Sequence, residues 1–274
     1  MTVSDIIQKK SKGEKITVLT AYDYPTAQLL DKAGIDVILV GDSLANVVLG
    51  LESTTQVGMR EMLHHCKAVS RAVQNALVVA DMPFESYQID SNKALANAQL
   101  FISEACCHAV KLEWFDNCAK VTEKIVKDGI SVMGHVGLTP QTASKEEGMK
   151  VQGRDAASAK QILEQAKILQ EAGCFAVVLE CVPREVAKMI TAELKIPTIG
   201  IGAGPDCDGQ VLVSHDVLGL VSRYHPKFAK KYADLSAVMV KAFEEYKNDV
   251  KSGHFPDDDH SFHMSADESK KLSQ

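Results

Sequence analysis

Three acidic residues stand at the ends of short apolar runs in this sequence: Asp42, Asp81 and Glu113. Such runs are typical of buried strands in a parallel sheet. The carboxyl ends of parallel strands in a barrel meet at one face, so we expect the three carboxylates to share one cavity. Carboxylates this close repel one another unless a cation lies between them, and an all-oxygen set suits Mg²⁺. The pattern predicts a site for Mg²⁺ or a similar hard ion; the alternative is that each carboxylate only caps a helix or forms a turn.

Further polar side chains are expected at the same face. Lys111 lies two residues before Glu113 and shares its side of the strand, where it either pairs with an anion or extends to the rim. Glu180 follows the apolar run 175–179 and has apolar neighbours on both sides, which suits a general base or a member of a structural ion pair. His135 ends another apolar run, and its position favours a hydrogen-bonded core histidine over a functional one.

The glycine-rich segment 200–204 has part of the spacing of a dinucleotide-binding turn. Pro205 and Asp206 interrupt the helix that such a turn must open, and no acidic residue follows a new strand about 20 residues further on. The segment is therefore predicted to be a tight, close-packed turn after a strand.

Alternating strand and helix patterns supply the scaffold for these residues. Strands are predicted at 15–20, 36–41, 77–80, 109–113, 130–135, 175–179 and 196–200, with a weaker eighth unit at 210–221. Helices are predicted at 25–33, 56–74, 91–105, 117–127, from 158, from 183 and at 234–248. This alternation predicts a parallel sheet, and eight units favour a (β/α)₈ TIM barrel over a doubly wound sheet. We expect a single domain over residues 1–274, with a short N-terminal helix at about 3–11 and a polar tail at about 253–274.

Two long connections interrupt the alternation, at residues 42–55 and 136–157. The second contains several glycines and shows no clear periodicity. Connections of this length in compact domains are usually functional or irregular.

The bulk composition narrows the class of protein. The chain has 274 residues, of which 46% are hydrophobic and 24% charged, and its formal net charge is −6. No basic cluster indicates a nucleic acid partner, and no apolar run reaches the roughly 20 residues that span a bilayer. The N-terminus shows neither a secretory signal nor a strong transit signal. The seven cysteines are an odd number without a C-x-x-C pair, which predicts reduced, buried thiols in the cytoplasm.

Seven ordered motifs resemble one enzyme family across nearly the whole chain. They are Thr20-Ala21-Tyr22-Asp23, Gly41-Asp42-Ser43-Leu44, Asp81-Met82-Pro83-Phe84, Val110-Lys111-Leu112-Glu113, Gly134-His135-Val136-Gly137-Leu138-Thr139-Pro140-Gln141, Leu179-Glu180-Cys181-Val182-Pro183 and Gly200-Ile201-Gly202-Ala203-Gly204. Together with Asp208-Gly209-Gln210 they resemble the ketopantoate (3-methyl-2-oxobutanoate) hydroxymethyltransferases.

The resemblance implies a TIM barrel of the phosphoenolpyruvate/pyruvate superfamily. It implies transfer of a one-carbon unit from 5,10-methylenetetrahydrofolate to 3-methyl-2-oxobutanoate, which gives 2-dehydropantoate. This is the first committed step of pantothenate synthesis, toward coenzyme A. Many members of the family are homodecamers, so the resemblance also implies a large homo-oligomer.

The resemblance also implies roles for individual residues. By position in the motifs, Asp42 and Asp81 would hold Mg²⁺, and Glu113 would complete its protein shell directly or through water. The side chains implied to contact the 2-oxoacid are Asp42, Ser43, Asp81 and Lys111. Glu180 would take the C3 proton, and Mg²⁺ and Lys111 would stabilise the resulting enolate.

The sequence departs from the family pattern at two places. Trp114 stands where the family usually has glycine, and Ala45-Asn46 stands where a Gly-Met pair is common.

Two alternative functions are considered beside the one that the resemblance implies. One alternative is a Mg²⁺-dependent C–C lyase or aldolase on a 2-oxoacid, which would share the carboxylates but need no folate. The other is a catalytically weakened barrel that serves as an assembly subunit.

Overall fold

Eight parallel strands form a closed barrel, in which each strand pairs with the next along the chain and the eighth pairs with the first. The computed structural model describes residues 1–142, 150–220 and 226–272. The strands are β1 (Ile16–Thr20), β2 (Val37–Val40), β3 (Leu77–Asp81), β4 (Ala109–Lys111), β5 (Ser131–Gly137), β6 (Ala176–Glu180), β7 (Thr198–Ile201) and β8 (Gly209–Leu212). The predicted TIM barrel is confirmed, and its weakly predicted eighth unit contains a strand.

The α-helices among the described residues are α1 (Val3–Lys12), α2 (Tyr24–Lys32), α3 (Leu44–Val47), α4 (Met59–Ala72), α5 (Ser91–Ser103), α6 (Cys118–Lys127), α7 (Ala156–Glu171), α8 (Arg184–Glu193), α9 (Ser214–Leu218), α10 (Leu235–Ser252) and α11 (Ala266–Lys271). None of them is long and apolar enough to cross a membrane. The connection 42–55 is not purely a loop, because it contains α3 and a 3₁₀ turn at Thr54–Gln56. Helices this short carry too few residues to show a periodic pattern.

Parts of three predicted segments lie outside the described residues: 143–149 in the second long connection, Val221 in the eighth unit and 273–274 in the polar tail. The glycine-rich segment after β7 is a turn that leads into β8, as predicted. Gly202 and Gly204 have φ values of +63° and +79°, which favour glycine.

Alternation along the strands decides which side chains face the barrel interior. In β3, Leu77 and Val79 belong to the interior cluster, whereas Val78 and Ala80 pack beneath the surrounding helices. Asp81 continues the inward row of β3. The equivalent rows of the next three strands end in polar residues: Lys111 and Glu113, His135, and Glu180. The barrel therefore presents this set at its carboxyl end.

Helix α1 closes the amino end of the barrel. Ile6 is fully buried and belongs to the interior cluster. Lys9 Nζ lies 2.8 Å from Asp36 Oδ1, and Lys10 Nζ lies 2.7 Å from Asp208 Oδ2, which ties the helix to the strands around the opening. The carboxyl end remains as the functional face of the barrel.

An apolar groove of about 1100 Å³ lies on the outer surface of β1 and β8. Thr17, Leu19 and Leu212, which point away from the barrel interior, line it. Helix α10 buries none of its residues within the chain. Large apolar side chains of α10 are exposed: Val238, Met239, Val240, Phe243, Tyr246 and Val250. One chain thus carries both an open apolar groove and an uncovered apolar helix.

Candidate active site

A buried ion pair lies at the carboxyl end of β3 and β4. Asp81 and Lys111 are opposite one another in the strand register, and Lys111 Nζ lies 2.6 Å from Asp81 Oδ1. Burial raises the pKa of Asp81 to about 7; Lys111 opposes this rise and Asp42 adds to it. Burial disfavours the charge on Lys111, but neighbouring carboxylates, Asp81 foremost, outweigh it and raise the pKa of the amine. The alternative in which Lys111 extends to the rim is therefore wrong.

Asp42 and Glu113 are both held by one loop residue, Gln141. Gln141 Nε2 donates to Asp42 Oδ2 at 2.9 Å, and the Gln141 backbone N–H donates to Glu113 Oε2 at 3.0 Å. The backbone N–H of Asp42 donates in turn to Asp81 Oδ2 at 3.2 Å. Burial raises the pKa of Glu113 more than Lys111 lowers it, and nearby carboxylates add to the rise. The three carboxylates predicted to hold metal therefore lie in one connected network.

His135 lies between two carboxylates of the same cluster. Its Nε2 is 3.3 Å from Glu180 Oε2, and its Nδ1 is 3.6 Å from Glu113 Oε1. Neither ring nitrogen has a hydrogen-bond partner in the described part of the chain. Burial lowers the pKa of His135, so the ring is neutral near pH 7 and these contacts are not ion pairs. The interpretation of His135 as a hydrogen-bonded core histidine is wrong, since neither ring nitrogen is hydrogen-bonded to a described residue.

Glu180 is the most open carboxylate of the cluster, with 13% of its side chain exposed. The next residue, Cys181, has a φ of +48°, a left-handed conformation that non-glycine residues seldom adopt. The Cys181 N–H donates to Ile201 O at 2.9 Å, and its carbonyl accepts from Gln152 N at 2.8 Å. Hydrogen bonds on both sides thus hold a strained turn at the position that presents Glu180.

A Gly137→Ala substitution is expected to displace this turn. Gly137 has a φ of +94°, and a Cβ there would lie 2.3 Å from Glu180 O and 2.8 Å from Val182 Cγ1. We expect a loss of about 1–3 kcal/mol of unfolding free energy from the backbone strain alone. Displacement of Glu180 is expected to lower turnover by about 10²-fold. Denaturant unfolding and steady-state kinetics measure the two effects.

Gly129→Ala is the matched control for that substitution. Gly129 has a φ of +85°, but nothing lies within 4 Å of its added Cβ, so the variant carries strain without overlap. It is expected to lose stability and keep its activity. Equal losses of activity in both variants would contradict the argument that Gly137 acts through Glu180.

Ser43 and Asp23 occupy different kinds of position after their strands. Ser43 Oγ lies 2.8 Å from Tyr22 Oη, directly after Asp42. Asp23 is the N-cap of α2 and accepts a hydrogen bond from Thr26 N at 2.8 Å. Asp23 is therefore a helix cap, whereas α3 begins after Ser43 without a side-chain cap.

The two departures from the family pattern are accommodated by packing and by hydrogen bonds. Ala45 is fully buried, and Asn46 Nδ2 donates to Leu51 O at 3.0 Å. Trp114 is partly buried against the layer between barrel and helices, and its backbone N–H donates to His135 O at 2.9 Å. These residues shape the connections that leave β2 and β4.

The sequence does not single out two members of the network, Gln141 and Tyr87. Tyr87 Oη donates to Gln141 Oε1 and accepts from Glu113 N at 3.3 Å. Both are buried residues of irregular segments, which have no periodic pattern to reveal their direction. Gln141 does lie within one of the family motifs, and that is the one signal that could have identified it.

The cluster contains more negative than positive groups. Among the described residues, the ammonium of Lys111 lies with four carboxyl groups, which are those of Asp42, Asp81, Glu113 and Glu180. Within the described ranges, no three His, Cys, Asp or Glu side chains are already placed as a group that could hold a metal ion. The donors are nevertheless all oxygens, and a hard divalent cation would stabilise the charged form of Asp81, whose pKa is raised first by burial and then by Asp42. The donor chemistry of this cluster fits Mg²⁺.

Comparisons with a family model and with known proteins agree on one enzyme family. A family model described as ketopantoate hydroxymethyltransferase matches residues 1–258. The chain is 54% identical over 273 residues to the 3-methyl-2-oxobutanoate hydroxymethyltransferase of Syntrophobacter fumaroxidans, with 100% of this chain and 96% of the relative covered. It is 56% identical over 262 residues to the protein of the same name from Syntrophus aciditrophicus, with 96% of each chain covered.

The barrel also resembles solved structures. One is 2,3-dimethylmalate lyase, described as a member of the PEP mutase/isocitrate lyase superfamily, with a TM-score of 0.59 and 17% identity over 99% of this chain and 97% of that chain. At this identity the likeness concerns the fold alone, and it agrees with the TIM barrel expected from the sequence. The family match covers most of the chain, and relatives share more than half of its residues. The chain therefore belongs to the ketopantoate hydroxymethyltransferase family.

Proposed function

We propose that this chain is a folate-dependent hydroxymethyltransferase of pantothenate biosynthesis. It transfers the methylene carbon of 5,10-methylenetetrahydrofolate, with addition of water, to C3 of 3-methyl-2-oxobutanoate, and it releases 2-dehydropantoate and tetrahydrofolate. Membership of the family supports this reaction. The observation that supports it most strongly in the site is the buried Lys111–Asp81 pair, 2.6 Å apart and joined to Asp42 by a hydrogen bond.

Mg²⁺ is the proposed cofactor. Asp42 and Asp81 hold it, and Glu113 completes the protein shell directly or through water. Bound Mg²⁺ supplies Lewis-acid stabilisation of negative charge on the keto oxygen of the oxoacid. The side chains proposed to contact the oxoacid are Asp42, Ser43, Asp81 and Lys111. The hydroxyl of Tyr22 lies 2.8 Å from Ser43 Oγ and holds the Ser43 side chain at the carboxyl end of the barrel.

Glu180 removes the C3 proton of the oxoacid in this proposal. Its partly exposed side chain is open to a ligand, as a general base requires. Lys111 supplies positive charge where the keto oxygen becomes anionic, and burial strengthens that effect. The nucleophilic C3 then attacks the methylene group of the folate.

Deuterium exchange tests this function and separates it from both alternatives. The protein is incubated in D₂O with 3-methyl-2-oxobutanoate and Mg²⁺, and NMR follows exchange at C3 with and without 5,10-methylenetetrahydrofolate. Exchange together with 2-dehydropantoate supports the transferase. Exchange without product at saturating folate supports the lyase or aldolase instead. No exchange in either reaction would overturn both enzyme functions and leave the assembly subunit.

We infer a cytoplasmic location from the cysteines. All seven are free thiols, and six of them are buried. Free cysteines in this number are typical of proteins from a reducing compartment.

We also propose that the protein is a homo-oligomer, for which the family resemblance implies ten subunits. Met239, Phe243, Tyr246 and Val250 are spaced by four, three and four residues, so they form one apolar stripe along α10. The groove on β1 and β8 is lined mostly by apolar residues. The apolar stripe of α10 from a second copy is therefore the occupant that fits the groove.

A Phe243→Glu variant is expected to dissociate this contact. The Glu carboxylate would have to leave water for a groove lined mostly by apolar residues, which costs several kcal/mol. Analytical ultracentrifugation should show a smaller species, while circular dichroism shows the same helix content. Lys241→Glu, on the opposite face of the same helix, is the control. Unchanged sedimentation of Phe243→Glu would contradict the proposed contact.

A further inference from the structure

Gln141, on the loop after β5, uses every polar atom of its buried side chain. Nε2 donates to Asp42 Oδ2 at 2.9 Å and to Met82 O at 3.2 Å. Oε1 accepts from Tyr87 Oη. Only 3% of the residue is exposed, so these protein groups define its surroundings.

The direction of the hydrogen bonds fixes the orientation of this amide. The Glu113 N–H donates to the Tyr87 oxygen, which leaves the Tyr87 hydroxyl hydrogen for Gln141. A hydroxyl donor requires the amide oxygen opposite it, and the Asp42 carboxylate requires the amide N–H. A reversed amide would place two acceptors together at Asp42. The network therefore permits a single orientation.

Gln141 also connects two carboxylates that follow different strands. Its backbone N–H holds Glu113 Oε2 at 3.0 Å, while its side chain holds Asp42 Oδ2. The other oxygen of each carboxylate is Asp42 Oδ1 or Glu113 Oε1, and neither accepts a hydrogen bond from any described residue. Gln141 thus fixes one oxygen of each carboxylate, and this sets the direction in which the second oxygen points.

We propose that Gln141 is a positioning residue, which orients Asp42 and Glu113 for a divalent cation and its bound 2-oxoacid. This inference rests on the proposed function and deepens it with a residue outside the set predicted from the sequence. Gln141 fixes one oxygen of each carboxylate, so the free oxygens face the ligand before it binds. It also ties the loop after β5 to residues that follow β2 and β4.

Gln141→Met tests the role. Methionine has a similar length and volume but no amide, and the backbone N–H to Glu113 remains. Partners that orient metal-binding side chains typically contribute about 10–100-fold to metal affinity or activity. We expect isothermal titration of Mg²⁺ into the substrate-free protein to show about tenfold weaker binding or more. The Mg²⁺ concentration that half-activates turnover should shift in the same direction.

Thr142→Ala is the control in the same loop. It removes the hydrogen bond between Thr142 Oγ1 and Thr139 Oγ1, 2.6 Å apart, and touches no carboxylate of the site. Its Mg²⁺ affinity is expected to equal that of the wild type. Unchanged affinity in Gln141→Met, or equal losses in both variants, would overturn the positioning role, because loop packing would then account for any effect.

Tyr87→Phe is the second variant, for use if Gln141→Met unfolds. It removes only the hydroxyl that orients the amide, so a smaller loss of Mg²⁺ affinity is expected, and no loss would overturn the inference. Failure of the proposed function has a different signature. A wild-type protein that binds Mg²⁺ but forms no 2-dehydropantoate would refute the transferase and leave the affinity comparison unaffected.

Discussion

A Glu180→Gln variant is expected to lose C3 exchange by about 10²–10⁴-fold, the usual contribution of a general base. Glutamine keeps the shape of the side chain but removes the basic oxygen that accepts the proton. Glu180 is the most exposed carboxylate of the cluster, and the turn at Cys181 presents it to the mouth. NMR exchange with 3-methyl-2-oxobutanoate and Mg²⁺ in D₂O measures the loss.

Binding is expected to survive in the Glu180→Gln variant. The proposed metal residues follow β2, β3 and β4, so Mg²⁺ affinity by isothermal titration should match the wild type. Glu185→Gln, an exposed change in α8, is the control and should exchange at the wild-type rate. Full-rate exchange by Glu180→Gln would remove Glu180 as the base and direct attention to His135, 3.3 Å away.

A Lys111→Met variant is expected to lose turnover and about 3–5 kcal/mol of unfolding free energy, the range for a buried charge deprived of its partner. Lys111 and Asp81 are both almost fully buried, and the pKa of Asp81 is already raised to about 7. Without the ammonium that pKa rises further. A carboxyl with a raised folded pKa destabilises the protein increasingly as pH rises above about 4, its unfolded value. The loss should therefore be larger at pH 8 than at pH 5.

A Lys111→Met, Asp81→Asn double variant separates stability from chemistry. Removal of both charges leaves no unpaired ion, so much of the stability should return while turnover stays lost. Lys67→Met breaks the exposed Lys67–Glu104 pair, which is 2.7 Å long, and should cost at most about 1 kcal/mol. Denaturant unfolding measures all three. Losses below about 1 kcal/mol in Lys111→Met would contradict the stabilising role of the buried pair.

The part of the site that strands carry could be predicted from the sequence. Side chains in a strand alternate, and parallel strands in a barrel end at one face, so Asp81, Lys111 and Glu113 had to converge. The structure brings them into one network with Asp42. The barrel itself followed from the repeated strand and helix pattern, which depends on local composition.

The part that irregular segments carry could not be predicted in this way. Gln141 lies 99 residues from Asp42 in the sequence, and only the folded loop brings the amide to the carboxylate. The sequence assigns His135 to the correct strand, but its lack of hydrogen-bond partners in the described residues depends on the geometry of Glu113 and Glu180. The exposed stripe of α10 has the same apolar spacing as a helix packed on its own barrel, so the sequence alone does not reveal that it is uncovered.

Crystals grown with 3-methyl-2-oxobutanoate and Mn²⁺ in place of Mg²⁺ test the central claim most directly, because anomalous scattering locates the ion. The claim is that the ends of β2, β3 and β4 place a cation and the oxoacid within reach of Glu180. We expect an anomalous peak about 2 Å from carboxylate oxygens of Asp42 and Asp81. The oxoacid C3 should lie about 3–3.5 Å from the Glu180 carboxylate. A peak away from Asp42 and Asp81, or a C3 atom out of reach of Glu180, would contradict the account.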